Sequence, residues 1–338
     1  MLRKMINKEE TVNIAQSSAR VSGLPKLLAV SPSPHVRGLE TVTNVMADVI
    51  IALLPALAWG IYHFGIRVLF VVLLSVATSV VCELVYELIA KRPVRIGDLS
   101  SVVTGLMLGL MLPSGVSLWV PVAGAVFAVI VAKQLFGGIG SNIVNPAIAA
   151  RIFLMLCFPA QMVKYVDKAG DLMSSATPLV NMKAGENSSV SLFNLVIGNC
   201  AGAIGEVSAI AIGAGFMYLL VRKVISWEIP ASFIGTVVLI SAVFPKTGDS
   251  RFAVFQAVAG SLLFAAVFSA GDTVTTPVTR LGKLIFGVGC GIVTLIIRYF
   301  CPFPDGTAFA ILLMNLLVPL FNEWTKPVRF GGRNEKRN

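Results

Sequence analysis

Histidine, charge and clustered cysteine are all scarce in this 338-residue sequence, and each scarcity removes a class of chemistry. The two histidines, His35 and His63, stand far apart, and no Ser-His-Asp set or Walker sequence occurs. Hydrolytic and ATP-driven reactions therefore have no residues to run on. The five cysteines (Cys82, Cys157, Cys200, Cys290, Cys301) form no C-x-x-C pair, which supports neither a zinc site, nor a cysteine-ligated cluster, nor a disulfide framework. They read as small apolar packing residues. Two glycine-rich stretches, "GGIG" at 137–140 and "GVGCG" at 287–291, follow no strand of a βαβ unit and read as close helix packing rather than nucleotide loops.

What fills the sequence is apolar: 56% of residues are hydrophobic, 13% are charged and mean hydropathy is +0.84. Soluble domains carry about 25% charged residues. The chain is therefore expected to be an all-α integral membrane protein. Ten apolar runs near the length of a bilayer span lie at about 43–64, 66–90, 100–113, 118–136, 144–162, 206–226, 229–245, 252–271, 282–300 and 305–325. The run 191–205 is short and glycine-rich, and reads as a re-entrant or interfacial element. The first 42 residues are polar, with no apolar core before a cleavage site, so the amino end is expected to stay cytoplasmic. With both termini inside, 19 of the 27 Lys and Arg fall on the cytoplasmic side and 7 outside, with Arg151 inside a run. The net charge of +10 is thus read as topology rather than as nucleic-acid binding.

This count divides the chain into an amino segment (1–42), five spans (43–162), an outer loop (163–205), five spans (206–325) and a cytoplasmic tail (326–338). An odd number of helices per half makes the halves inverted repeats. Two echoes agree. "TGLMLGLMLPSG" (104–115) matches "AGSLLFAAVFSAGDTVTTP" (259–277) as a glycine-containing third helix, and "GSNIVNPAIAARIFLML" (140–156) matches "PDGTAFAILLMN" (304–315) as a fifth.

Several polar residues bear on a site. Asn145-Pro146 reads as a helix cap, with Asn142 nearby, but capping leaves Arg151 unexplained. A guanidinium within a span pairs, snorkels or faces a polar cavity; here a cavity with an anionic cofactor or lipid is expected. "SAGDTVTTPVT" (269–279) ends a span with Asp272, Thr275 and Thr276, which suit either a capped turn or hydrogen bonds to a polar heterocycle. Asn315 reads as helix-to-helix glue and Glu87 as interfacial. Asp48, Glu83 and Glu206 are candidates for an ion path. The loop "DLMSSATPLV" (171–180) taken alone is a capped turn.

Together, "GGIGSNIVNPA", "DLMSSATPL", "GDTVTTPVTRLGKLIFG", "PDGTAFAILLMN" and "PVRFG" resemble, in order and spacing, the RnfD family, the D-type membrane component of the Rnf ion-translocating electron-transport complex. The related NqrB component of the sodium-pumping NADH:quinone oxidoreductase is similar. The resemblance covers residues 35–331. It implies FMN held through a phosphoester to Thr177, with Asp171, Ser174 and Ala176 matching the family's motif and Ser175 standing where the family has glycine. It further implies a second, non-covalent riboflavin in the helix bundle, a urea-transporter-like inverted repeat, and a multi-pass place in the cell (inner) membrane. Asn142, Asn145, Arg151, Asp272, Thr275 and Thr276 are the expected polar contacts to cofactor. Partner subunits carrying iron-sulfur and flavin groups would handle ferredoxin and NAD, a flavin transferase would mature the chain, and membrane lipid would surround it. A quinone-reducing relative and a urea- or ammonium-type channel are the alternatives.

Overall fold

The computed structural model describes residues 41–166, 179, 191–200, 202–245, 251–301, 303 and 305–326. These are helical throughout, with no strand among them beyond an isolated bridge between Pro113 and Ala203. The helices are α1 (Val42–Phe64), α2 (Arg67–Ile89), α3 (Ser100–Leu110), α4 (Trp119–Val126, continuing to Gln134), α5 (Pro146–Cys157), α6 (Pro159–Met162) and α7 (Leu192–Ile197), followed by α8 (Ala209–Val221), α9 (Glu228–Val243), α10 (Phe252–Val258), α11 (Leu262–Phe264, continuing to Ser269), α12 (Arg280–Phe300) and α13 (Thr307–Trp324). Each of the ten apolar runs carries helix. Four helices, α1, α2, α12 and α13, are long and apolar enough to cross a membrane, or five if α10 and α11, bent by 59°, make one span.

Local chemistry sets the helix starts. Ser191, Ser208 and Thr279 each accept an orphan N–H in the first turn of α7, α8 and α12 with a hydroxyl oxygen, while Asn145 caps α5 ahead of Pro146. The two interruptions are equally specific. α3 stops at Leu110, where its last carbonyl and one just beyond it are met from elsewhere: the Gly205 N–H donates to Leu110 O (2.8 Å) and the Ile204 N–H to Leu112 O (3.0 Å). Gly205 is required there, since a Cβ would stand 2.8 Å from the Leu110 Cβ.

The second interruption, between α10 and α11, is stapled by opposite charges. Arg298 donates to the carbonyls of Gln256 (2.6 Å) and Ala259 (3.3 Å) at the end of α10, and Asp305 accepts from the Ser261 N–H (3.2 Å) at the start of α11. A cation thus sits at carbonyls and an anion at an amide, the arrangement that helix ends favour. Gly260 makes the corner at φ +78°.

Small residues let helices meet closely. α3 lies on α2 through Gly105, and α12 on α9 through Gly287 and Gly291, which agrees with "GVGCG" as packing. The outward faces carry exposed apolar side chains such as Leu54, Phe70, Leu73, Val81, Ile292 and Ile296, suited to lipid. None of the five cysteines, all of them among the described residues, is in a disulfide.

Candidate functional site

α5 begins at a polar residue whose side chain makes four hydrogen bonds. The Asn145 Oδ1 accepts from the N–H groups of Ala147 (3.0 Å) and Ile148 (3.4 Å), and its Nδ2 donates to the Ser269 carbonyl (3.3 Å) and Asp272 Oδ2 (3.5 Å). Across the bundle Asn315 of α13, its amide turned so that both ends are satisfied, donates to the Thr275 carbonyl (3.1 Å) and accepts from the Asn145 N–H (3.2 Å). Asp272 in turn accepts from the Val274 N–H (3.3 Å) and the Thr275 hydroxyl (3.4 Å), and the Thr276 hydroxyl donates to the Asp272 carbonyl (2.8 Å). The capped turn expected of this segment is therefore present. Burial pushes the Asp272 carboxyl above its ordinary range, against the pull of those hydrogen bonds.

This knot borders a cavity of about 760 Å³, part of it open to the outside, walled by α1, α3, α5 and the turn after α11. Asn142, Asn145 and Asp272 line it together with Met46, Val49, Met107 and Phe268, an apolar body with a few polar groups. The Asn142 Oδ1 is buried with no hydrogen-bond partner, so it is an acceptor open to a ligand. Thr275 and Thr276 stand behind Asp272 and hold it rather than line the cavity.

A buried ion pair stands between this cavity and a second one. Lys133 of α4 is 1% exposed and donates to Glu83 Oε1 (2.6 Å), Ser100 Oγ (2.6 Å) and Ser101 Oγ (3.1 Å). Glu83 also accepts from Gln134 Nε2 (2.9 Å) and from the Ser101 hydroxyl. Lys133 and Ser100 line the first cavity, whereas Glu83 lines a polar cleft of about 640 Å³ with Glu87, Arg92, Arg95, Asp98 and Gln134. Lys133, counted among the cations of the cytoplasmic side, is enclosed in the last turn of α4. Glu87 is also buried, at 5% exposure, and accepts from the Arg95 N–H (3.0 Å).

Arg151 and Glu206 meet in a third cluster. Both Arg151 Nη atoms reach Glu206, one at 3.3 Å, and Asp305 lies 3.9 Å away, itself paired with Arg298 (3.3 Å). The charge that the sequence left unmatched in α5 is thus answered within the chain. Asp48 is likewise engaged, with Arg222 (3.1 Å) and the Tyr218 hydroxyl (2.8 Å) tying α1 to α8. Of the three ion-path candidates, Glu83 opens on a polar cleft. Lys133, Ser100, Ser101, Gln134 and Arg298 went unnoticed in the sequence as site residues. A cation inside an apolar run was the available signal for Lys133 and Arg298, the same one that singled out Arg151. Asp171, Ser174, Ala176 and Thr177 lie outside the described residues, but Leu179 is buried against Leu195, Phe252, Phe255 and Ala259.

Residues 29–331 match the model of the NQR2, RnfD, RnfE family. The D component of the Na⁺-translocating ferredoxin:NAD⁺ oxidoreductase complex of Acetobacterium woodii is 40% identical over 309 residues, covering 90% of this chain and 95% of that protein. Its counterpart in the proton-translocating ferredoxin:NAD⁺ oxidoreductase complex of Clostridium ljungdahlii is 37% identical, covering 91% and 97%. The equivalent component of the ion-translocating oxidoreductase complex of Stutzerimonas stutzeri is 35% identical, covering 88% and 94%. With a family match over most of its length and relatives spanned almost end to end, the chain belongs to the NQR2, RnfD, RnfE family.

Proposed function

We propose that this chain is the D-type membrane component of an ion-translocating ferredoxin:NAD oxidoreductase complex. It relays electrons between partner subunits, and the complex couples that flow to Na⁺ or H⁺ movement. Bound flavin supplies the electron chemistry, and the chain supplies binding, orientation and exclusion of water. The observation that carries this reading is the cavity, whose apolar lining suits a fused heterocycle and whose polar edge offers Asn142 Oδ1 as an acceptor without a partner. Asn142, Asn145 and Asp272 would hold the polar edge of a non-covalent riboflavin, with Thr275 and Thr276 fixing Asp272. Arg151 belongs instead to the cluster around Glu206 and Asp305.

The second flavin, FMN, is assigned to Thr177, with Asp171, Ser174 and Ala176 as the motif that a flavin transferase reads. A phosphoester leaves the ring system free, so the hydroxyl serves as a tether. Leu179, two residues on, packs beside Gly260 at the α10–α11 corner.

Ten spans in two inverted halves are supported by the packing. The first helices of the halves, α1 and α8, lie together, as do the last, α5 and α13; α2 packs on α3 and α4 as α9 packs on α10 and α12. In this arrangement the short helices α3, α4, α5, α8 and α9 and the bent α10–α11 complete the spans, residues 191–205 are re-entrant or interfacial, and both termini are cytoplasmic. Iron-sulfur and flavin proteins of the complex are the partners, and lipid covers the outer faces.

The test is direct. The denatured chain from its native host should fluoresce as flavin on a gel, with loss of the signal in Thr177→Ala and retention in Thr177→Ser. Fluorescence that persists in Thr177→Ala would remove the attachment site. Complex purified without any flavin would remove the redox reading and leave solute conduction as the alternative.

A further inference from the structure

We propose that Lys133 and Glu83 are an exchangeable ion pair that ties electron arrival in the cavity to cation uptake from the cleft. This rests on the reading of the cavity as the riboflavin site, and extends it to how charge is balanced there.

The two members face different spaces. Lys133 lies in the wall of the cavity and Glu83 in the wall of the cleft, while the side chains themselves are 2% and 3% exposed. A pair so enclosed is a weak stabiliser, because desolvation offsets most of its attraction and apolar residues would do as well. Its position is the informative feature. All three donors of the ammonium are taken, one by Glu83 and two by serine hydroxyls, and one of those serines, Ser100, itself lines the cavity. The ammonium therefore already has a partner on the cavity side. Glu83, for its part, keeps Gln134 Nε2 and the Ser101 hydroxyl when the ammonium moves. Lys133 and Gln134 also sit in a wide, π-helical stretch of α4 (Phe127–Gln134), a geometry that recurs at functional sites.

The exchange balances. One electron, supplied by an iron-sulfur partner of the complex, adds one negative charge in the cavity. Lys133 turns its ammonium from Glu83 toward that charge. Glu83, now a carboxylate without its cation, takes one monovalent cation, Na⁺ or H⁺, from the cleft, where Glu87 and Asp98 are balanced by Arg92 and Arg95 and Glu83 is left as the unmatched charge. One electron and one cation have entered, and the net charge of the enclosed region is unchanged. When the electron leaves, Lys133 returns and the cation is expelled.

The experiment uses the purified complex and reads the chemistry of Glu83 rather than turnover. Dicyclohexylcarbodiimide adds to protonated carboxyls, and peptide mass spectrometry over Glu83 measures the adduct in oxidised and dithionite-reduced samples. In the wild type the adduct should rise severalfold, about tenfold at most, on reduction, and Na⁺ should suppress the rise if Na⁺ is the cation. Lys133→Met should label strongly in both states, and Lys133→Arg should restore the dependence on reduction. Riboflavin released by acid and identified by chromatography is measured in the same samples. Riboflavin present with equal wild-type labelling in both states overturns the exchange alone, whereas its absence overturns the cavity reading and the exchange together. If Lys133→Met does not assemble, the wild-type comparison still decides.

Discussion

Arg151 and Glu206 lie 55 positions apart in the chain yet meet inside the bundle, and their worth depends on which member is removed. Leaving one buried charge unpaired costs about 3–5 kcal/mol, while replacing both by apolar residues is far milder. Arg151→Met should therefore lower the thermal unfolding temperature in detergent sharply, and the double variant Arg151→Met/Glu206→Met should recover most of the loss. The sequence exposed Arg151, because a cation in an apolar run is conspicuous. Its partner was not legible, because pairing depends on how the 202–208 segment docks on the end of α3. Asn145 is a second case. Its caps were readable from Asn-Pro, but its bonds to Ser269 and Asp272, 124 and 127 positions away, were not. Asn145→Ala should cost about 1–2 kcal/mol through the lost cap. Asn145→Asp keeps that cap but sets a carboxylate against Asp272 and the Ser269 carbonyl, so riboflavin content should fall with much of the stability retained.

The broken helix α10–α11 extends the same logic to whole elements. A run at 252–271 was visible from hydropathy alone, and the structure bends it by 59° at a short corner. Nothing local announces that bend except Gly260, because the groups that hold it, Arg298 and Asp305, arrive from α12 and the turn after it. Gly260→Ala must adopt φ +78° with a Cβ 3.2 Å from the Leu179 Cδ2 and 3.3 Å from an Arg298 Nη, and should destabilise by about 1–3 kcal/mol. Chemical denaturation followed by tryptophan fluorescence measures it. Gly105→Ala tests an unbroken contact. Its new methyl would stand 2.7 Å from the Val76 Cα, so α2 and α3 must separate, and a loss of comparable or greater size is expected. Helix positions were thus legible from apolar runs. Helix ends and wide turns were not, since they are set by amides and guanidinium groups brought from distant segments.

For the molecule as a whole, charge distribution remains the best guide to orientation. Lys133 and Arg298 are both enclosed, so neither reports on a loop, and without them 18 cationic residues fall on the side expected to be cytoplasmic against 6 on the other. The bias survives the correction. A fluorescent-protein fusion at the carboxyl end should therefore light up, and alkaline phosphatase inserted in 181–190 should be active; the reverse pattern would invert the topology. The composition and the order of motifs made the class and the family legible, while the partition of polar residues into a cavity, a cleft and a charge staple required the packed bundle. Leu179, 4% exposed among Leu195, Phe252, Phe255 and Ala259, adds a kinetic consequence. Two residues of chain reach at most about 7 Å, so the FMN proposed for Thr177 would be leashed to that post. Its meetings with a neighbouring redox centre are then a local search at an effective concentration of about millimolar or above, and the rate of transfer should not change when the complex is diluted.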